Sequence, residues 1–167
     1  MTGEVARTGK PLLVADVDKS ERYIRGVIGG RCEMAAPLKV DGDVIGPSPV
    51  KDSLTGVIPR QMTEEEIETV IESFGQSARR ALDAGFDGVE VMAGHGYLIN
   101  QFLSARTNKR TDEWGGSLEN RAGFLFRIIE RVREQVGEDF PLLVKLNTED
   151  RMKRGFTVEE SAWGAKG

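Results

Sequence analysis

Helical periodicity is strongest between residues 63 and 84. Thr63 and Glu66 form a capping box, which is a common start of a helix. Gly85 follows the last apolar position and suits the left-handed residue after a helix end. The apolar residues between these signals recur every three or four positions: Ile67, Val70, Ile71, Phe74, Ala78, Ala81 and Leu82. The pattern therefore predicts a helix over about 64 to 84.

Two further helices are predicted downstream. Ser117 can cap a helix that carries an apolar stripe and ends at Gly137. Thr157 and Glu160 form another capping box and predict a short helix near the end of the sequence. The stretch from 93 to 116 is predicted to be rich in turns.

Two predicted strands, 86 to 92 and 142 to 146, alternate with these helices, and Val89 and Val91 share one face of the first. This alternation is typical of parallel βα units, whose strands need helical crossovers. We therefore expect the two strands to be parallel neighbours in an α/β fold. A doubly wound sheet and a (β/α)8 barrel both agree with the pattern. A complete barrel takes about 250 residues, so a barrel chain of 167 residues is incomplete.

The first third of the chain has a weaker pattern. Residues 11 to 17 are predicted to form a short buried strand. One face of a helix is suggested by Tyr23, Ile24, Val27 and Ile28. Residues 32 to 60 contain four prolines and three glycines without a sustained period, and they predict one long loop. Such loops are often functional, and a disordered linker is the alternative.

Composition excludes several classes of protein. The chain is 39% hydrophobic and 30% charged, but no apolar stretch approaches the roughly 20 residues of a membrane helix. The N-terminus lacks the apolar region of a secretory signal, so the expected compartment is the cytoplasm. One cysteine and one histidine form neither an internal disulfide nor a structural zinc site. A net charge of -4 without a long basic block disfavours nucleic acid as a partner.

The segment after the strand at 86 to 92 carries the candidate catalytic residues. Carboxyl ends of parallel strands usually carry the active site, and His95 and Tyr97 follow such an end. A histidine imidazole can donate to a substrate oxygen. A tyrosine phenol keeps its proton at neutral pH and can act as a general acid. The alternative is a loop histidine satisfied by nearby backbone and a tyrosine that packs the loop.

Glu90 and Lys145 are predicted to project from the two strands toward the same side. There they can form a structural ion pair, or Lys145 can meet an anionic cofactor. The glycine pairs of the chain form neither a GxGxxG nor a Walker pattern, so no dinucleotide or phosphate loop of those kinds is predicted.

Two segments are more specific than these patterns. Residues 85 to 104 read GFDGVEVMAGHGYLINQFLS, and residues 108 to 121 read NKRTDEWGGSLENR. Together they closely resemble the old yellow enzyme family of FMN-dependent oxidoreductases, and the resemblance covers roughly residues 29 to 167. Met92 and Trp114 make the chain most similar to the branch with 2,4-dienoyl-CoA reductase, since many ene-reductases have histidine and tyrosine there.

The resemblance implies a (β/α)8 barrel with FMN at the carboxyl ends of its strands and NAD(P)H as electron donor. By position, Tyr97 matches the family's proton-donating tyrosine, and His95 matches the residue beside the substrate. Lys145 matches the basic residue near the flavin N1 and C2 oxygen, and Arg31 matches an arginine after the third strand. The implied reaction is the reduction of an activated alkene, of enoyl or dienoyl type, in a small-molecule substrate.

The resemblance also implies that the chain is a fragment, roughly the first half of a barrel including strands 3 to 5. Residues 29 to 167 are assigned to this partial barrel, and residues 1 to 28 are not assigned. The family's FMN phosphate site lies beyond these strands, as do the iron-sulfur cysteines where present, so the chain holds no cluster ligands. The alternative function is a non-catalytic half-barrel that binds no flavin. Open strand edges predict self-association or a complementary barrel half as partner.

Overall fold

The computed structural model describes the following residues: 12–14, 33–35, 39–40, 43–53 and 56–166. The chain separates into two compact units, Met1–Val44 and Ile45–Gly167. In the first unit, β1 (Leu12–Val14) pairs antiparallel with β2 (Glu33–Ala35). β1 lies within the strand predicted over 11 to 17, whereas the predicted helix face at 23 to 28 lies outside the described residues.

The prediction of one long loop over 32 to 60 is wrong. Besides β2, this stretch contains β3 (Lys39–Val40) and β4 (Asp43–Gly46), which pair antiparallel through Val40 and Asp43. In the second unit, the end of β4 pairs parallel with β5 (Arg60–Gln61). Strands of two to four residues are too short to show a period in the sequence, so the prolines and glycines around them dominate the pattern.

The second unit contains the helices and strands that the periodicity predicts. Its elements after β5 are α1 (Glu64–Asp83), β6 (Val89–Ala93), α2 (Leu98–Leu103), α3 (Leu118–Val136), β7 (Leu142–Leu146) and α4 (Val158–Gly164). The predicted helices at 64 to 84, after Ser117 and after Thr157 are therefore confirmed, as is the strand at 142 to 146. The α/β organisation is confirmed for this unit.

The helix ends follow from their capping residues. Thr63 Oγ1 accepts the Glu66 N–H at 3.2 Å, and the Glu66 carboxylate accepts the Thr63 N–H at 2.8 Å. Thr157 and Glu160 repeat this reciprocal arrangement at the start of α4. Gly137 ends α3 with a φ of 80°, a backbone conformation that a glycine adopts without steric cost.

β6 and β7 are parallel neighbours, as predicted. Val91 pairs with Val144 and Ala93 with Leu146. Val91 is 3% exposed and Ala93 is fully buried, so this face of β6 is covered by the rest of the unit. The strand predicted at 86 to 92 begins later, at Val89, and extends through Ala93.

α2 is an element that the prediction of a turn-rich stretch over 93 to 116 missed. Ile99, Phe102 and Leu103 are at most 1% exposed, so the apolar face of this short helix packs against the core. The ring centroids of Phe102 and Phe124 lie 4.2 Å apart, which joins α2 to α3. Burial of each phenylalanine contributes about 2 to 3 kcal/mol to folding. α1 also packs against α3, and α2 contacts β6.

Across the ranges that the structure describes, no helix is long and apolar enough to span a membrane.

Candidate active site

His95 and Tyr97 lie in the turn that follows β6. The backbone is left-handed at two consecutive positions, with φ of 58° at His95 and 75° at Gly96. His95 is exposed, and Tyr97 is 45% exposed. Tyr97 directly precedes α2, and its N–H donates to the Gly94 carbonyl at 3.2 Å. Both predicted catalytic residues are therefore accessible at the carboxyl end of a parallel strand.

Lys145 lies on β7, where it pairs with Met92 one residue before the strand ends. Residues that pair across parallel strands share a face, so Glu90 and Leu143 lie on the same side as Lys145. Glu90 and Lys145 thus occupy one side of the sheet, as predicted. Both are exposed, and no ion pair joins them in the described part of the chain.

Three of the four residues expected at the site are described. His95, Tyr97 and Lys145 belong to the ends of two adjacent parallel strands, although they are separated by up to 50 positions in the sequence. Arg31, the fourth, lies outside the described residues.

The turns after β6 and β7 are joined by side chains that the sequence analysis did not single out. The His95 N–H donates to Asn147 Oδ1 at 2.8 Å, and the Gly96 N–H donates to Asn100 Oδ1 at 2.8 Å. Asn147 Nδ2 in turn donates to Asn100 Oδ1 at 3.2 Å and to Asp150 Oδ1 at 3.1 Å. The two turns are therefore hydrogen-bonded to each other through side chains of Asn100, Asn147 and Asp150.

Asp150 is the acceptor on which these side chains converge. Burial opposes its charge, but hydrogen bonds from the Phe156 N–H and from Ser104, Asn147 and Asn100 outweigh burial and hold the pKa of Asp150 below its usual value. The Ser104 Oγ donor lies 2.6 Å away and the Phe156 N–H 2.8 Å away. At neutral pH, Asp150 is thus an ionised carboxylate whose oxygens are occupied by donors.

Part of the motif at 108 to 121 is structural. Asn108 is 4% exposed, and its Nδ2 donates to the carbonyls of Phe102 at 2.8 Å and Trp114 at 2.7 Å. The Arg110 guanidinium donates to the Met62 carbonyl at 2.7 Å and forms an ion pair with Asp112. These contacts satisfy buried backbone carbonyls, so both side chains hold the loop between α2 and α3 in place.

Arg121 extends this support to α4. Its guanidinium donates to the backbone carbonyls of Leu103 and Gly116. It also pairs with the Glu160 carboxylate at 2.5 Å. Since Arg121 is 5% exposed, it ties the end of α2 to the start of α4 rather than facing a ligand.

Comparison with known proteins identifies relatives for nearly the whole second unit. A model of the NADH:flavin oxidoreductase / NADH oxidase family matches residues 27–166. The chain is 40% identical over 149 residues to a metal reductase of Desulforamulus reducens, and the match covers 89% of this chain and 21% of that protein.

Solved structures give the same picture. The chain resembles a 2-naphthoyl-CoA reductase in complex with 2-naphthoyl-CoA, with a TM-score of 0.72 at 44% identity over 80% of this chain and 20% of that chain. It also resembles an old yellow enzyme homologue from Zymomonas mobilis, with a TM-score of 0.61 at 30% identity over 71% of this chain and 36% of that chain. The chain thus spans 20 to 36% of the length of these three proteins.

Proposed function

Because the chain belongs to the NADH:flavin oxidoreductase / NADH oxidase family, we propose that it forms part of the site of an FMN-dependent NAD(P)H oxidoreductase. The proposed reaction is the reduction of an activated alkene, of enoyl or dienoyl type, by NAD(P)H. The observation that carries the proposal is the occurrence of His95, Tyr97 and Lys145 at the carboxyl ends of the parallel pair β6 and β7.

Lys145 is suited to contact a bound flavin. It is exposed on the face that it shares with Leu143 and Glu90, and it forms no ion pair with any other described residue. When bound, FMN would carry hydride from the nicotinamide to the alkene, and an ammonium group beside its ring would stabilise the negative charge of the reduced form. Arg31 is proposed as a second contact to the cofactor.

Tyr97 is the proposed proton donor. Alkene reduction adds one hydride and one proton across the double bond, so NAD(P)H and a proton are consumed and NAD(P)+ is released. The phenol O–H of Tyr97 would give its proton to the carbon that does not receive the hydride. The side chain is 45% exposed, which allows the phenolate to recover a proton from solvent.

His95 is proposed to bind the carbonyl oxygen that activates the alkene. An imidazole N–H that donates to this oxygen withdraws electron density from the conjugated double bond and stabilises charge that develops during hydride addition. The exposure of His95 supports this role, because its side chain is accessible to a ligand.

The proposed substrate is a CoA thioester, in the manner of the dienoyl-CoA reductase branch. Similarity to a 2-naphthoyl-CoA reductase supports this choice. A thioester carbonyl conjugated with an alkene provides both the oxygen that His95 would bind and the carbon that Tyr97 would protonate.

We further propose that residues 29 to 167 form a partial (β/α)8 barrel that other strands complete. Parallel sheets are normally covered on both faces, but Leu143 and Val144 of β7 are 56% and 36% exposed. Among the described strands, β6 and β7 pair only with each other. The same observation favours the second candidate function, a non-catalytic half-barrel that associates with a complementary half or a second copy.

FMN titration tests the proposal. The 167-residue chain is expected to bind FMN weakly, and a barrel completed with the strands of a relative is expected to bind it tightly. In the completed barrel, Lys145→Met should weaken FMN binding or slow flavin reduction by NAD(P)H. Lys166→Met, an exposed lysine beyond α4, is the matched control. Equal FMN affinity and equal flavin reduction in the two variants would refute the role of Lys145.

A further inference from the structure

A cluster of polar side chains links the turn after β6 to the turn after β7. Asn100 belongs to α2, Asn147 follows β7, and Asp150 lies three positions further along. Besides the two bonds of Asn147 Nδ2, Asn100 Nδ2 donates to Asp150 Oδ1 at 3.3 Å. Asn100, Asn147 and Asp150 together form an amide–carboxylate network.

Two consecutive backbone N–H groups of the turn are held by this network. Asn147 binds the His95 N–H and Asn100 binds the Gly96 N–H, each at 2.8 Å. The left-handed φ of 58° at His95 is unfavourable for a residue other than glycine. The two hydrogen bonds offset this penalty, because each pairs a backbone N–H of the turn with a side-chain acceptor.

The network is anchored from the opposite side. Asp150 accepts the Ser104 hydroxyl at 2.6 Å and the Phe156 N–H at 2.8 Å, so its position is fixed by the residue that caps α2 and by the segment before α4. Asn100 and Ser104 are each 3% exposed. The Asp150 carboxylate accepts four hydrogen bonds from the protein, and two of them orient the amides of Asn100 and Asn147.

Gly94 leaves room for the Asn147 side chain of this network. A Cβ atom at Gly94 would lie 2.7 Å from Asn147 Oδ1 and 3.3 Å from the Asn147 nitrogen. Only glycine therefore permits the Asn147 side chain to reach the His95 N–H. The close approach and the hydrogen bond both place Asn147 Oδ1 directly against the backbone of the turn.

We infer that the amide–carboxylate network positions the catalytic residues. It holds the backbone from His95 to Tyr97 in the conformation from which the Tyr97 hydroxyl protonates the substrate. The inference rests on the proposed function, since it assigns the network an effect on the roles of His95 and Tyr97. None of the three network residues is required to touch the substrate or FMN.

Amide hydrogen exchange in the 167-residue chain tests the backbone part of the inference. Asn147→Ala removes the acceptor of the His95 N–H, so protection of this amide should fall about tenfold or more. The matched control is Ser161→Ala, which removes a 2.9 Å hydrogen bond to the Asn147 backbone carbonyl and leaves the network intact. Core amides such as that of Ile128 report global stability in both variants. Unchanged His95 protection in Asn147→Ala would overturn the inference.

The catalytic part is tested in a completed barrel. Asn147→Ala should lower the rate of alkene reduction at saturating substrate by about tenfold, with little change in KM, while flavin reduction by NAD(P)H stays at the parent rate. A merely structural role would lower both half-reactions in proportion to the folded fraction. If Asn147→Ala does not fold, the nearly isosteric Asp150→Asn replaces it. The expected result is the same: slower alkene reduction with flavin reduction at the parent rate.

Measurement of Tyr97→Phe in the same assays distinguishes failure of the proposed function from failure of the positioning role. Parent-rate alkene reduction in Tyr97→Phe would refute the proposed function. Loss of alkene reduction in Tyr97→Phe, together with a parent rate in Asn147→Ala, would refute the positioning role alone.

Discussion

Gly75 lies in the middle of α1, where it faces α3 at close range. A Cβ atom at Gly75 would lie 2.8 Å from Arg131 Cγ and 3.1 Å from the Arg131 carbonyl oxygen. Glycine inside a helix is unfavourable by about 1 kcal/mol relative to alanine. Its presence in α1 is explained by the packing of the two helices, which leaves no room for a methyl group.

Gly123 is the matched control within α3. It is also inside a helix, but a Cβ atom there would meet nothing within 4 Å. Gly123→Ala should therefore stabilise the chain by about 1 kcal/mol. Gly75→Ala gains the same propensity but carries an overpacking penalty of about 1 to 3 kcal/mol. Because both variants gain the same helix propensity, only the overpacking penalty distinguishes them. Their free energies of unfolding should therefore differ by about 1 to 3 kcal/mol.

Urea denaturation followed by far-UV circular dichroism measures this difference. With a slope of about 2 kcal/mol per molar urea, the midpoint of Gly75→Ala should lie roughly 0.5 to 1.5 M below that of Gly123→Ala. Equal midpoints for the two variants would refute the close approach of α1 and α3.

Two further predictions concern the start of α1 and the open sheet. The hydrogen bonds from Arg60 and from the Thr63 N–H lower the pKa of Glu66 from 4.5 to about 2. Its stabilisation is therefore complete above pH 4.5 and is lost as the pH falls toward about 2. Glu66→Gln should reduce the fall in melting temperature between pH 4.5 and about 2. A fall identical to that of the parent would contradict the capping role. Leu143→Ser should reduce self-association in sedimentation velocity relative to Ile58→Ser, which alters another exposed residue. A monomeric parent chain would contradict association of β7 with a second copy of the chain.

Local signals explain why most of the second unit was predictable. The reciprocal hydrogen bonds of Thr63 and Glu66 form within four residues, so the sequence alone predicts them, and both occur in the structure. The resemblance to the old yellow enzyme family, which rested on contiguous segments, is confirmed by the family match. The position of α2 was legible in principle, because Ile99, Phe102 and Leu103 follow helical spacing.

The site depends on contacts that the sequence does not display. Asn100 and Asp150 are 50 positions apart, and their meeting requires the parallel register of β6 and β7. The left-handed His95 likewise donates its N–H to Asn147, a residue 52 positions away. Pattern analysis finds His95 and Tyr97 by their chemistry, but it does not find the side chains that hold their backbone.

Tyr97 is proposed to protonate an alkene in a flavin-dependent site. Stopped-flow measurement of the two half-reactions in a completed barrel tests this role most directly. Tyr97→Phe removes only the hydroxyl group that carries the transferable proton, so flavin reduction by NAD(P)H should proceed at the parent rate while alkene reduction falls by roughly 10²- to 10⁴-fold. Alkene reduction at the parent rate in Tyr97→Phe would contradict the claim and show that the proton comes from another group.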